Sequence, residues 1–184
     1  NWTGTSTITA KVNDGTVDSA TQQFTLTVNA SNTAPVVGSV SAQSTNEDTA
    51  KAVTLSGTDS DDDSLTYSAT SAESEVTPSV SGTTLTLTPD ANWNGTSVIT
   101  IKANDAIVDS TAKTFTLTVN AINDAPVVGT VANQSTTKNS AKTVNLSETD
   151  ADTGDSHTFT ATTSASQITI GISGAALTMT PDNN

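Results

Sequence analysis

Four of the five residues in Asp59-Ser60-Asp61-Asp62-Asp63 carry a carboxylate. In a loop, alternate residues can point the same way, so Asp59, Asp61 and Asp63 can converge. Like charges held that close disfavour ionisation unless a cation sits among them. Calcium suits such a set, because it takes about 6–8 oxygens at about 2.3–2.6 Å from carboxylates, amides and backbone carbonyls. The pattern returns as Asp150-Ala151-Asp152. It is not an EF-hand, since the Gly and the terminal Glu at the required spacing are missing. The competing reading is a solvated acidic turn, because Asp forms turns readily. A second oxygen-rich stretch is Asn120-Ala121-Ile122-Asn123-Asp124-Ala125-Pro126, with an earlier copy at Asn29-Ala30-Ser31-Asn32-Thr33-Ala34-Pro35. Its Asn and Asp oxygens are further candidates for holding a cation. Without a metal, Asn-Asp ahead of Pro is still a stiff, extended turn. Both readings restrict bending there, and only the metal reading predicts that chelation loosens it.

These stretches are joints in a repeat. Asn1-Trp2-Thr3-Gly4 returns as Asn92-Trp93-Asn94-Gly95, and the segment from Phe24 to Ala30 returns from Phe115 to Ala121, both shifted by 91 positions. Ala34-Pro35-Val36-Val37-Gly38 returns at Ala125 with the same shift, and one residue is inserted before Ser173-Gly174, the counterpart of Ser81-Gly82. A period of that length fits a tandem array of small domains and is too long for a solenoid unit. Within one period, alternation marks a split first strand at 36–44, then strands at 51–56, 64–69, 76–81, 84–88, 96–103 and 114–121. Ile99, Ile101 and Ala103 share one face of the sixth strand, and Phe115, Leu117 and Val119 one face of the seventh. Seven short strands in this length predict all-β, Ig-like sandwiches. Residues 32–122 make one complete repeat. Residues 1–31 supply the last two strands of a preceding repeat, and 123–184 the first five of a following one. Neither partial piece is expected to bury a full core, and the abrupt start inside a repeat reads as a window on a longer protein.

Composition narrows the function. Net charge is −13, from 19 acidic and 6 basic residues. Binding to nucleic acid phosphates or to an anionic membrane surface is electrostatically unfavourable for such a chain. There is no Cys, so disulfides and thiolate metal sites are excluded. No apolar run reaches transmembrane length.

The order Asn32-Thr33-Ala34-Pro35, Asn46-Glu47-Asp48-Thr49, Leu55-Ser56-Gly57-Thr58-Asp59, Pro89-Asp90-Ala91-Asn92-Trp93, Asn104-Asp105 and Asn123-Asp124-Ala125-Pro126 resembles the bacterial cadherin-like tandem repeats of large surface adhesins. The resemblance implies tandem seven-stranded Ig-like or cadherin-like β-sandwiches, with calcium at the joints between them. Residue by residue, it implies Asn123 and Asp124 as linker ligands, with Asn120 beside them. It implies Asp59 with Asp61, and again Asp150 with Asp152, as the Asp-x-Asp pair. It further implies Glu47 near the end of the first strand, Asp90 between the fifth and sixth, and Asp105 after the sixth. Two positions depart from the pattern. Thr33 stands where Asp124 stands in the later joint, and Lys138 where Glu47 stands one repeat earlier. Occupancy is therefore expected to differ between joints.

Other residues add little. Trp2 and Trp93 sit in Asn-Trp-x-Gly turns, where capping a sandwich core is the expectation and sugar stacking the alternative. The single His157 is expected to be an exposed strand residue. Catalysis is not expected, so the chain is not read as an enzyme. The expected function is a structural spacer on an extracellular or cell-surface bacterial protein, whose partners are neighbouring repeats of the same protein. Two alternatives stand beside it: a filament subunit that self-associates head to tail by strand complementation, and a module binding glycan or protein.

Overall fold

A computed structural model describes residues 2–182, so Asn1, which opens the first Asn-Trp turn, and Asn183 and Asn184 lie outside the description. The chain opens on an antiparallel hairpin, β1 (Gly4–Ala10) and β2 (Gln22–Val28), paired from Gly4 opposite Val28 to Ala10 opposite Gln22. The complete repeat follows as β3 (Val36–Val37), β4 (Gln43–Asn46), β5 (Lys51–Thr54), β6 (Gly57–Thr58), β7 (Thr66–Ser71), β8 (Val76–Ser81), β9 (Thr84–Pro89), β10 (Gly95–Asn104) and β11 (Lys113–Asn120). One sheet runs β4-β11-β10-β7 and the facing sheet runs β5-β9-β8, with β3 and β6 pairing beside it. All these pairs are antiparallel except β4 with β11, which runs parallel from Gln43 opposite Leu117 to Asn46 opposite Asn120.

The two sheets exist because each strand has one apolar face to bury. Ile99, Ile101 and Ala103 from β10 and Phe115, Leu117 and Val119 from β11 meet Val53, Leu55, Val76, Leu85 and Leu87 in one core. These are the faces read from the sequence. The split first strand is also present. β3 pairs with β6, while β4 crosses to β11 in the other sheet. The third strand lies two residues later than expected, because its ladder with β10 runs from Thr66 opposite Asn104 to Ser71 opposite Ile99 and leaves the acidic stretch before it as loop.

The trailing segment forms β12 (Val127–Val128), β13 (Lys142–Asn145), β14 (Glu148–Thr149), β15 (Ile168–Ser173) and β16 (Ala176–Pro181). Its sheets are β13-β16-β15 and β12-β14. The third of its five expected strands is missing: residues 158–163, the counterpart of β7, form no strand, nor do residues 134–137, the counterpart of β4. The cause is pairing. In the complete repeat β7 hydrogen-bonds only to β10, and β4 only to β11. Without such neighbours a strand leaves its backbone groups unsatisfied. Every fully buried residue among those described lies between Pro35 and Ser110 or in β11. In the leading hairpin Phe24 is 58% exposed and Leu26 50%, against 6% and 0% for their counterparts Phe115 and Leu117. No described helix is long and apolar enough to cross a membrane.

Candidate metal centres at the joints

At the first joint, two consecutive linker residues hold the acidic loops. The Thr33 amide donates to Asp61 Oδ2 at 2.7 Å, and Asn32 Nδ2 donates to Asp105 Oδ2 at 2.9 Å. Asp105 is buried in the turn after β10, where its Oδ1 accepts the amides of Ile107 and Val108 at 2.8 and 2.7 Å. The Val108 amide, then the Asn32 side chain, hold its carboxyl below the ordinary carboxylate value. Asp59 closes its own turn by accepting the Asp61 amide on Oδ1 at 2.8 Å. Its Oδ2 is buried and has no hydrogen-bond partner. Asp62 takes a left-handed conformation at φ 61°, and Asp63 is exposed. The linker thus brings Asp59, Asp61, Asp105 and Asn32 to one end of the complete sandwich.

The second joint repeats this geometry. The Asp124 amide donates to Asp152 Oδ2 at 2.5 Å, and the Asp152 amide to Asp150 Oδ1 at 2.9 Å. The complete repeat contributes Glu47, buried just after β4. Its amide donates to the Asn120 carbonyl at 2.9 Å, and its Oε1 accepts the Ile122 amide at 2.5 Å. The carboxyl of Asp124 is the outlier. Its Oδ2 is buried without a hydrogen-bond partner. Burial raises its pKa above the ordinary value, and the charges of Asp152, Asp48, Glu47 and Asp150 push the same way. Asn123 is exposed, with Nδ2 donating to the Asp124 carbonyl at 2.6 Å.

Not every sequence candidate joins these groups. Asp90 is exposed at the end of β9, where its carbonyl accepts the Trp93 amide at 3.2 Å. Asn120 turns its amide to Asn46 Oδ1 at 3.4 Å. Three residues were missed. Asp48 bears on Asp124, and it is fixed by a left-handed backbone (φ 58°) and by the Asn92 amide, which donates to its Oδ1 at 3.0 Å. Its one sequence signal was adjacency to Glu47. Asp155 lines the cleft between Asn94, Asn123 and Asp152. His157 is not an exposed strand residue. It is half-buried outside any strand, with Nε2 2.7 Å from Asp150 Oδ2 and Nδ1 3.3 Å from Glu148 Oε1. The Asp150 hydrogen bond holds its imidazole pKa above the ordinary value. The counterpart of His157 is the core-packing Leu65, so the repeat carries no signal for this contact.

Trp93 answers the other open question. It packs on the core, and its ring lies over Gly95, where an added Cβ would stand 3.0 Å from Cζ2. Gly95 has φ 156°, so the Trp-x-Gly spacing is a packing requirement.

The donor chemistry fits calcium, with carboxylates and side-chain amides at each joint and an orphaned carboxylate oxygen in both. Among the described residues, no three His, Cys, Asp or Glu side chains are grouped as a ready-made metal cage.

Residues 31–120 match the cadherin-like domain family, a match that takes in nearly all of the complete repeat and just under half of the chain. No curated protein matches the chain significantly. Among solved structures it is similar to domains 4–9 of the surface layer protein SbsC, at 19% identity and a TM-score of 0.38, over 99% of this chain and 31% of that one. It is also similar to the extracellular domain of protocadherin GammaB4, at 15% identity and a TM-score of 0.37, over 99% and 36%. The chain spans about a third of the length of either.

Proposed function

We propose that the chain is a stretch of structural spacer in an extracellular surface protein or adhesin, stiffened by calcium at the joints between repeats. The observation that carries this reading is the carboxyl of Asp124, buried, unpartnered and flanked by four other carboxylates. An ionised carboxylate in that position is unfavourable by itself and favourable beside a divalent cation. Asp124, Asp150, Asp152, Glu47 and Asn123 would hold the ion at the second joint, with Asp48 added. Asp59, Asp61, Asp105 and Asn32 would hold it at the first, where Thr33 supplies no carboxylate. Bound calcium supplies charge cancellation and a crosslink between oxygens of adjoining repeats. His157 competes for one of those oxygens, because it already engages Asp150 Oδ2.

The acidic surface and the linker Pro residues support a role in keeping repeats apart and aligned. Calorimetric calcium titration of the chain tests the reading, with Asp124→Ala and Asp61→Ala as controls. Binding is expected to be saturable, with each variant weakening a different joint. Chelator is expected to lower Tm and to shorten the particle in small-angle scattering. Unchanged Tm and dimensions after chelation would sink the calcium spacer.

A further inference from the structure

We propose that the open edge of β7, inside the complete repeat, is a docking site for an extended strand of a partner protein, one with basic residues at both ends of the segment that pairs. β7 closes one side of its sheet, β4-β11-β10-β7, and among the described residues no strand pairs on its far side. The Ala72 amide donates to the Val98 carbonyl at 3.0 Å, in the register that sets Thr70 opposite Thr100 and Ser68 opposite Lys102. Hydrogen-bonded and non-bonded pairs alternate along an antiparallel ladder. Ser68 and Thr70 therefore bond to β10, while Tyr67, Ala69 and Ser71 turn their N–H and C=O groups to the unpaired side. A row of free backbone groups of this kind is a template for one more strand.

The other edges of the sandwich are blunted. On β8 the Glu75 carbonyl accepts the Asp90 amide at 2.7 Å, so by the same alternation Pro78 faces outward and brings no N–H to that edge. β4 is only four residues long, and β5, equally short, begins on Lys51. β7 runs for six residues, Thr66-Tyr67-Ser68-Ala69-Thr70-Ser71, with neither Pro nor a charge among them. Carboxylates stand at both of its ends, with Asp62 and Asp63 exposed before it, and Glu73 exposed and Glu75 half-buried after it. Lys102, on the neighbouring strand, is already engaged by Asp109. These charges decide the occupant. In an antiparallel pairing of two copies centred on Ala69, Asp63 falls opposite Glu75 of the second copy, and like charges opposite one another are destabilising. An incoming strand with Lys or Arg at each end meets opposite charge instead. Tyr67 and Ala69 pack on the core, so small apolar residues at alternate positions of the partner strand extend that face.

Fluorescence anisotropy of the whole chain with a labelled synthetic peptide tests this, in chelator so that calcium binding at the joints is not involved. The peptide alternates Thr and Val and carries paired Lys at each end. Binding is expected to saturate, and hydrogen exchange at the Tyr67, Ala69 and Ser71 amides, fast in the free chain, to slow on binding. The same peptide N-methylated through its centre, and the peptide with Glu in place of Lys, are each expected to bind at least about tenfold more weakly. Ala69→Pro removes one edge N–H and no bond to β10, and is expected to weaken binding to a similar degree. Asp63→Lys combined with Glu73→Lys leaves every backbone group in place and is expected to reverse the preference, toward the Glu peptide. Circular dichroism checks that both variants remain folded. No saturable binding, binding that N-methylation leaves intact, or an unchanged preference in the charge-reversed variant each overturns the proposal. So does self-association without peptide that Ala69→Pro abolishes, since that assigns the edge to a second copy.

Discussion

Asp124 and Asp105 are both joint carboxylates, and their surroundings give them opposite pH behaviour. Burial and four negative neighbours raise the Asp124 carboxyl above its ordinary 3.8. A raised folded-state value means the fold prefers the protonated acid. That contribution is fully present below pH 3.8 and is lost as pH rises through the raised value. At neutral pH without calcium, ionised Asp124 is therefore a cost. Asp124→Asn is expected to raise Tm in chelator at neutral pH, to have no such effect below pH 3.8, and to lower Tm when calcium is saturating. Asp105 is held below 3.8 by the Val108 amide and Asn32, so its contribution is present above that pH and is lost as pH falls through the depressed value. Asp105→Ala is expected to lower Tm at neutral pH with or without calcium, because the Ile107 and Val108 amides lose their acceptor. Thermal unfolding followed by circular dichroism reads both. At this scale the sequence was informative wherever a motif recurred. Asp59, Asp61, Asp150 and Asp152 share one turn geometry because they share one pattern. Asp48 and His157 were opaque, because backbone conformation and a neighbouring loop place them.

Strand by strand, burial decides what a side chain contributes. Leu117 and Leu26 are the same residue at the same repeat position, 0% and 50% exposed. Leu117→Ala is expected to cost about 2–5 kcal/mol, through lost transfer energy and the cavity left behind. Leu26→Ala is expected to cost less than about 1 kcal/mol. Urea denaturation of the two variants makes the comparison. Gly38 lies where the first strand changes sheets, and its amide donates to the Ser56 carbonyl at 2.6 Å. A Cβ there would stand 3.0 Å from the Ser56 carbonyl oxygen and closer still to its hydroxyl. Gly38→Ala is expected to destabilise the repeat by roughly 1–3 kcal/mol in the same assay, with Ser56→Ala only partly restoring it. Alternation made the strands of the complete repeat legible, since each buries one face. It failed for residues 158–163, because alternation records which face is apolar and not whether a partner strand is present.

For the molecule as a whole, periodicity was the most legible feature, since the shift of 91 positions marks both joints in the sequence alone. The contacts made at each joint were not, because they depend on how consecutive linker residues such as Asn32 and Thr33 divide between two loops. With a net charge of −13, raising monovalent salt in chelator is expected to recover part of the stability lost on calcium removal by screening the joint carboxylates. A Tm that ignores salt in chelator would argue against charge repulsion as the cost. The parallel pairing of β4 with β11 has a consequence under tension. The incoming chain passes through β3, held to β6, before it reaches the start of β4 at Gln43, and the outgoing chain leaves the end of β11 at Asn120, at the opposite end of the β4–β11 ladder. A pull along the chain slides the two strands past each other in shear, loading their hydrogen bonds together instead of peeling them one at a time. Drawn out from its two ends, the repeat would resist through that ladder as a whole.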